Sequence, residues 1–270
     1  MPEKTKFTEN NCCAWDQRII VGGMPRAGTT LFRYLLDASD YIIAGPETGF
    51  FLRPFALQQA RVERVSRRID RSLSIGTDLI AGSIVNSTSA TESFDLIMSA
   101  YLERTGRTNA RVWAEKTPWN CCSYSWIQLE EPKVRFISLI RDPRDVVTSI
   151  MNGSYYVSPQ TALETLRLVL RFKNPNHLIV RYEELVTNPE TCLRQTLETC
   201  NLPFTKSIFA RYQQISETRD PSKVNQPKVQ TPISTQWVKR WCDPQHKERI
   251  AELVAHPLFH SLLGEAGYEL

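Results

Sequence analysis

Arg18-Ile-Ile-Val-Gly-Gly-Met-Pro-Arg26-Ala-Gly-Thr-Thr-Leu-Phe-Arg-Tyr-Leu-Leu-Asp37, continued by Ala44-Gly-Pro-Glu47-Thr-Gly49, opens with a β-branched run that ends in two glycines. A loop carrying Pro25, Arg26 and Gly28 comes next. Apolar residues then recur at Leu31, Tyr34, Leu35 and Ala38, which is helical spacing. The stretch therefore predicts a strand, a tight loop and a helix. In such a unit the first-turn amides of the helix point into the loop, and the helix dipole adds partial positive charge there. An anion can dock at that point, although an ordinary strand-to-helix turn with capping threonines would read the same way.

The loop almost matches a Walker A motif. Gly23 and Gly28 stand at the right separation and Thr30 closes the run, but Thr29 occupies the position where that motif requires Lys. That lysine normally reaches the β- and γ-phosphates, so this loop is poorly equipped to transfer a γ-phosphoryl group. Arg26 can supply the cation instead, while the amides of Gly28 to Leu31 and the hydroxyls of Thr29 and Thr30 supply donors.

Moving outward, 270 residues with 41% hydrophobic content can bury a sizeable core, and we expect one domain over 18–270 behind a polar tail at 1–17. The net charge of +4 is spread along the chain with no basic tail. This suits a small anionic ligand and argues against nucleic acid as a partner. No run approaches 18 apolar residues and Met1 to Asn11 is polar, so we expect no membrane span, no signal peptide and a cytoplasmic protein. The seven cysteines include adjacent pairs, Cys12-Cys13 and Cys121-Cys122, that fit neither C-x-x-C redox spacing nor zinc-ligand spacing. They are expected to be free thiols, and no metal is expected.

Strand and helix patterns alternate through the rest of the chain. Phe50 to Leu73 is amphipathic and basic, with Arg61, Arg64, Arg67, Arg68 and Arg71 on its polar side. It reads as one or two surface helices, either a solvated face or a segment that attracts an acidic partner. Residues 82–92 read as a loop, and Glu92 to Arg104 as a helix. These segments together make a helical insertion over about 50–110. Arg111 to Pro118 reads as a strand that leaves Lys116 at its end, where ligands bind in open parallel sheets. Residues 120–130 read as helical.

Val134 to Ile140 is the clearest strand, followed by Arg141-Asp-Pro-Arg-Asp145 and a helix over Val146 to Asn152. Arg141 and Ser149 can converge on one phosphate from that strand end and helix. Asp142 and Pro143 also suit a helix cap, with Arg141 paired to a carboxylate. Gln160 to Phe172 reads as a helix, His177 to Tyr182 as a strand, and Glu183 to Asn201 as a helix interrupted at Pro189. The tail changes character, with a surface loop over Arg219 to Thr235, Trp237 and Trp241 anchoring its far end, and a last helix over Pro244 to Ala255. The alternation predicts an α/β fold, a P-loop-type three-layer sandwich with a mainly parallel sheet flanked by helices.

Two of these motifs carry a resemblance. Pro25-Arg-Ala-Gly-Thr-Thr-Leu31 resembles the 5′-phosphosulfate loop of sulfotransferases that use 3′-phosphoadenylyl sulfate (PAPS). Arg141-Asp-Pro-Arg-Asp-Val-Val-Thr-Ser149 resembles their 3′-phosphate motif. Within that family the pattern running from Arg26 to Glu47-Thr48 is most similar to the tyrosylprotein sulfotransferases. The resemblance implies in-line sulfuryl transfer from PAPS, releasing PAP, without a metal, and Glu47 as general base. A carboxylate in hydrogen-bond reach can take the proton of a phenol whose pKa is near ~10. Cytosolic sulfotransferases share a Lys-Thr-His run; here the stretch is Lys116-Thr117-Pro118, which leaves no histidine base.

Carried over position by position, Arg26, Ala27, Gly28, Thr29, Thr30 and Leu31 would hold the 5′-phosphosulfate and Lys116 would stabilise the leaving oxygen. Arg141 and Ser149 would bind the 3′-phosphate. Tyr182 matches a tyrosine of the nucleotide site, Arg240 falls where the family has a phosphate-binding lysine, and Asn225 falls on its nucleotide-covering loop over 225–234. Two departures stand out, because Gly49 and Gly153 replace arginines of the tyrosylprotein enzymes, the first of which meets acidic residues of the peptide. The acceptor therefore stays open between a peptide or protein tyrosine, a carbohydrate and a small molecule, and a homodimer is compatible with the reading. The competing readings are a P-loop nucleotide kinase or NTPase, with Asp142 as its Walker B acid, and a non-catalytic sulfotransferase-like binding protein.

Overall fold

The computed structural model describes residues 15–151, 155–217 and 233–269. The chain begins with β1 (Gln17–Gly23), α1 (Thr29–Asp37) and β2 (Ile42–Ile43), then runs through α2 (Phe55–Gln59), α3 (Val62–Leu73), α4 (Thr77–Asn86) and α5 (Ala90–Thr105). It continues with β3 (Val112–Lys116), α6 (Tyr124–Glu130), β4 (Arg135–Ile140), α7 (Pro143–Val147) and a small hairpin of β5 (Ile150–Met151) and β6 (Tyr155–Tyr156). It ends with α8 (Pro159–Arg171), β7 (His177–Arg181), α9 (Tyr182–Thr187), α10 (Pro189–Thr199), α11 (Ser207–Glu217), α12 (Lys247–Val254) and α13 (Phe259–Glu265).

The main sheet has the order β2-β3-β1-β4-β7, and every pairing in it is parallel. Its central strand explains why. Ile19, Ile20 and Val21 are consecutive, so they point to alternate faces, and none of them is exposed. A strand buried on both faces reads as a continuous apolar run and needs helices above and below it. On one side α1 packs on β1 and β3 with α11 against it, while α8 packs on β1 and β4 and is itself covered by α7, α12 and α13. Among the described residues no helix is long and apolar enough to cross a membrane.

The register brings the ends of the strands to one edge. Val21 pairs with Lys116, Gly23 with Leu139, and Ile140 with Arg181. The loop after β1, Lys116, Arg141 and Tyr182 therefore share the carboxyl edge of the sheet, where open α/β folds bind ligands. Gly23 makes the close approach possible. Its φ is 127°, and an added Cβ would collide with the Leu139 carbonyl and stand 2.6 Å from the Leu139 nitrogen. Gly23→Ala is expected to cost about 3 kcal/mol or more, because backbone on a neighbouring strand cannot move aside. A urea melt that leaves the midpoint unchanged would contradict this.

An aromatic cluster ties the helices inserted between β2 and β3 to the sheet. Phe50, Phe51, Phe94 and Trp113 pack, mostly edge to face, with ring centroids 4.8–5.9 Å apart, joining the turn after Glu47 to α5 and β3. Asp95 supplies the polar anchor, accepting from Trp113 Nε1 at 2.7 Å and from Arg18 Nη2 at 2.5 Å.

Two local expectations fail. Residues 82–86 belong to α4 rather than to a loop, because Ser83 and Ser87 donate back to the carbonyls of Leu79 and Ser83 and so satisfy their hydroxyls along the helix. The loop shrinks to 87–89, where Ser89 accepts from Glu92 N and Glu92 accepts from Thr88 N, a capping box that starts α5 two residues early. The helix expected over 146–152 instead spans Pro143–Val147. Asp142 caps it through Arg144 N, and it stops where Thr148 bonds back to the carbonyls of Arg144 and Asp145. Ser149 thus lies just past the helix. The helices α11 and α13 have no counterpart in the sequence reading.

Candidate functional site

Two clusters of polar side chains line the carboxyl edge of the sheet. The first is built on the loop between β1 and α1. Arg26 sits at φ 65°, a left-handed conformation unfavourable for a residue with a Cβ and tolerated at sites where geometry matters more than local strain. The first backbone bond of α1 is Phe32 N to Gly28 O at 3.0 Å, so the amides of Thr29, Thr30 and Leu31 precede the intrahelical ladder. Ala27 and Thr29 are buried beneath the loop.

Arg141 and Ser149 reach this loop from the other side of β1. Arg26 Nε donates to Ser149 Oγ at 2.9 Å, and Arg141 Nη1 donates to the Arg26 carbonyl at 3.1 Å. The Arg26 guanidinium is held below the ordinary arginine value by partial burial and by the charge of Arg141. Two guanidiniums this close repel, and an anion between them relieves the repulsion. Arg141 is 5% exposed, and its Nε has no hydrogen-bond partner among the described residues. Tyr182 completes the cradle. Arg141 lies 4.4 Å over its ring, and a Cβ at Gly28 would stand 2.6 Å from its Cδ2.

The segment after the tail loop docks on the same motif. Arg141 Nη2 donates to the Trp237 carbonyl, while buried Asp145 accepts from Lys239 N at 2.9 Å and Trp241 N at 3.0 Å. Arg144 covers the Trp241 ring at 4.0 Å. Arg240 stacks on the Trp237 ring at 4.5 Å, beside the cradle. Asn225, most of the 225–234 loop and Gly153 lie outside the described residues.

The second cluster holds the expected base. Glu47 Oε2 accepts from Lys116 Nζ at 2.7 Å. The Lys116 side chain is 4% exposed and that of Glu47 is 44% exposed, so the carboxylate meets solvent above a buried ammonium. Burial pushes Lys116 below the ordinary lysine value, Glu47 opposes that, and Arg33 adds to it. Arg33 comes from α1 and donates to the Ala44 carbonyl at 2.8 Å, which positions the segment leading to Glu47. Ser72 of α3 donates to the Glu47 carbonyl at 2.8 Å from the other side.

Gly49 takes φ 61° and has an arginine beside it after all. Arg68 of α3 donates from Nη2 to the Gly49 carbonyl at 3.0 Å, and its guanidinium carbon lies 3.9 Å from where a Cβ at position 49 would stand. Arg53, Arg64 and Arg71 are close enough, with burial as the larger cause, to hold Arg68 below the ordinary arginine value. The basic helix face thus turns partly toward Glu47.

The geometry provides a cation-rich cluster suited to an anion and, at the same sheet edge, a carboxylate–lysine pair. The sulfotransferase family model matches residues 18–206. The chain belongs to the sulfotransferase family. Protein-tyrosine sulfotransferase A of Caenorhabditis elegans is 24% identical over 252 residues, covering 87% of this chain and 63% of that protein. Protein-tyrosine sulfotransferase 1 of Danio rerio is 26% identical over 246 residues, covering 83% of this chain and 65% of that protein. The chain therefore spans just under two thirds of the length of these relatives. A solved sulfotransferase domain from the Synechococcus PCC 7002 olefin synthase superimposes with a TM-score of 0.61 at 16% identity, covering 94% of this chain and 95% of that domain. At that identity the likeness establishes the fold.

Sequence reasoning missed Arg33, Asp145 and Glu115. Arg33 reads as an ordinary helix residue, and Asp145 as a helix-start acid. Glu115 left a signal that was available, since it is a carboxylate between Ala114 and Lys116 in a strand buried at every position.

Proposed function

We propose that this sulfotransferase moves a sulfuryl group from PAPS to an acceptor hydroxyl, with Glu47 as general base. The 2.7 Å contact between Glu47 Oε2 and Lys116 Nζ, at the same carboxyl edge of the sheet as the anion cradle, carries the reading. When bound, PAPS supplies a sulfuryl group already activated as an anhydride with phosphate. The donor set suits it. Arg26 and the amides of Thr29, Thr30 and Leu31 would hold the 5′ end, while Arg141 and Ser149 would hold the 3′-phosphate and Tyr182 would close the nucleotide side. The buried Arg141 Nε, without a hydrogen-bond partner among the described residues, supports an anion there.

Glu47 would accept the acceptor's proton on its solvent-facing carboxylate as the hydroxyl oxygen becomes nucleophilic. Lys116 holds that carboxylate in position through the 2.7 Å contact, and its ammonium would stabilise negative charge developing on the leaving oxygen. Because the acceptor must approach the exposed side of Glu47, its neighbours meet Arg68 and the basic face of α3. A peptide tyrosine flanked by acidic residues is favoured by that charge and by the similarity to protein-tyrosine sulfotransferases; a carbohydrate or small-molecule hydroxyl is the second reading.

Labelled PAPS incubated with peptides, glycans and phenols tests the proposal. Transfer is expected to be fastest to tyrosine peptides with Asp or Glu neighbours and to slow when those neighbours become Lys. Magnesium-dependent binding of ATP in preference to PAP, with no label transferred, would replace this reading by a nucleotide kinase. Tight PAP binding with no transfer to any acceptor would leave a binding protein.

A further inference from the structure

Glu115 is 2% exposed, on a strand whose every residue is buried. An ionised carboxylate in such a place costs several kcal/mol unless donors surround it. Here they do. Oε1 accepts from Thr48 Oγ1 at 2.8 Å, Thr117 Oγ1 at 2.8 Å, Thr48 N at 3.3 Å and Gly49 N at 3.3 Å, and Oε2 accepts from Asn120 Nδ2 at 2.6 Å. Thr117 Oγ1 in turn accepts from Gly49 N at 3.0 Å.

The donors have a location in common. Thr48 and Gly49 directly follow Glu47, Thr117 directly follows Lys116, and Glu115 directly precedes Lys116. β2 ends at Ile43, so the turn that carries the base lies outside the backbone pairing of the sheet; its other described side-chain contacts are Lys116 to Glu47, Ser72 to the Glu47 carbonyl and Arg68 to the Gly49 carbonyl. One carboxylate therefore clamps the turn to the strand end that bears the lysine.

We propose that Glu115 is a positioning residue for sulfuryl transfer: its carboxylate holds the turn 47–49 so that Glu47 meets Lys116. The inference rests on the reading of Glu47 and Lys116 as the reacting groups. The charges that face Lys116 are Glu47 from the turn after β2, Arg33 from α1 and Glu115 from its own strand. Burial and Arg33 lower the lysine; both glutamates raise it. Rising pH removes the ammonium, so the wild-type rate has an alkaline limb below the ordinary lysine value of about 10.4. Removing the Glu115 charge moves that limb to lower pH.

Glu115→Gln keeps the shape and removes the charge. It is expected to lower kcat about tenfold to a hundredfold, the scale of a sub-ångström to 1 Å misplacement of a reacting group. PAP affinity is expected to stay within about twofold, and the alkaline limb to move down by about half a pH unit or more. Independently of turnover, hydrogen exchange at the Thr48 and Gly49 amides is expected to accelerate. Wild-type kcat with an unmoved limb would overturn the inference, as would equal losses of kcat and PAP affinity that track the folded fraction. Should Glu115→Gln fail to fold, Thr117→Val removes one donor and one acceptor from the same clamp and is expected to lower kcat severalfold with PAP binding kept; full kcat there would also overturn it. Glu47→Gln, assayed in parallel, separates the two ideas, because unimpaired turnover in that variant defeats the base assignment itself whatever Glu115 does.

Discussion

Glu47→Gln is expected to lower kcat by about 10²- to 10⁴-fold, the usual loss when a positioned general base is removed, while PAP binds within about threefold of wild type. The substitution preserves the shape of the side chain, and Gln Oε1 can still accept from Lys116 Nζ across the present 2.7 Å contact. What disappears is the capacity to take a proton. The cluster proposed to hold the nucleotide does not bond to this pair: Arg26 donates to Ser149 and Arg141 donates to the Arg26 carbonyl, with Arg141 and Ser149 reaching the loop from the β4 side of β1. The measurement is steady-state transfer beside isothermal titration with PAP. Full turnover in the variant would remove the base assignment and shift attention to another proton acceptor. Glu47 and Lys116 are in contact, so their effects are also expected to be non-additive in the double variant.

Arg141→Ala is expected to weaken PAP by about 30- to 150-fold, equivalent to the roughly 2–3 kcal/mol of a charge-assisted hydrogen-bond group, while 5′-AMP changes by no more than about threefold. The two nucleotides differ only in the 3′-phosphate, so the ratio isolates that contact. Arg141 has a second duty, because it donates to the Trp237 carbonyl and lies 3.7 Å from buried Asp145. Its removal leaves Asp145, whose carboxyl burial already pushes up, without that cation. Ser149→Ala is the gentler control. Its partly buried hydroxyl accepts from Arg26 Nε, and losing it is expected to weaken PAP about threefold to tenfold with the same selectivity. Equal losses for PAP and 5′-AMP in both variants would end the 3′-phosphate assignment.

How much was legible beforehand varied with the kind of interaction. The unit from β1 to α1 was readable because a β-branched run, a glycine pair and helical periodicity are local signals that agree with one another. Arg141 and Ser149 were readable as a pair because their motif follows the clearest strand. The helix α4 was not, since its Ser, Thr, Gly and Asn content resembles a loop until the hydroxyls are seen bonded to carbonyls one turn back. The shortening of α7 likewise depends on Thr148 turning its hydroxyl inward.

Sequence alone determined the order of strands and helices around β1, the loop after β1 without the Walker A lysine, and the residue types at Arg26, Glu47, Lys116 and Arg141. These come from periodicity, steric limits on glycine and the chemistry of single side chains. Only tertiary structure decided which of them meet. Parallel pairing of β1 with β3 and β4 sets Lys116 under Glu47 and Arg141 under Arg26, contacts between residues 69 and 115 positions apart. It also decided the duties of Arg68 and Glu115. A helix arginine can fill the place beside Gly49 because α3 folds back over that turn. A glutamate can survive inside a strand because its donors arrive from the turn after β2 and from the stretch just beyond β3. Charge and hydrogen-bond satisfaction in a buried site are properties of the surroundings, and much of those surroundings comes from parts of the chain distant in sequence.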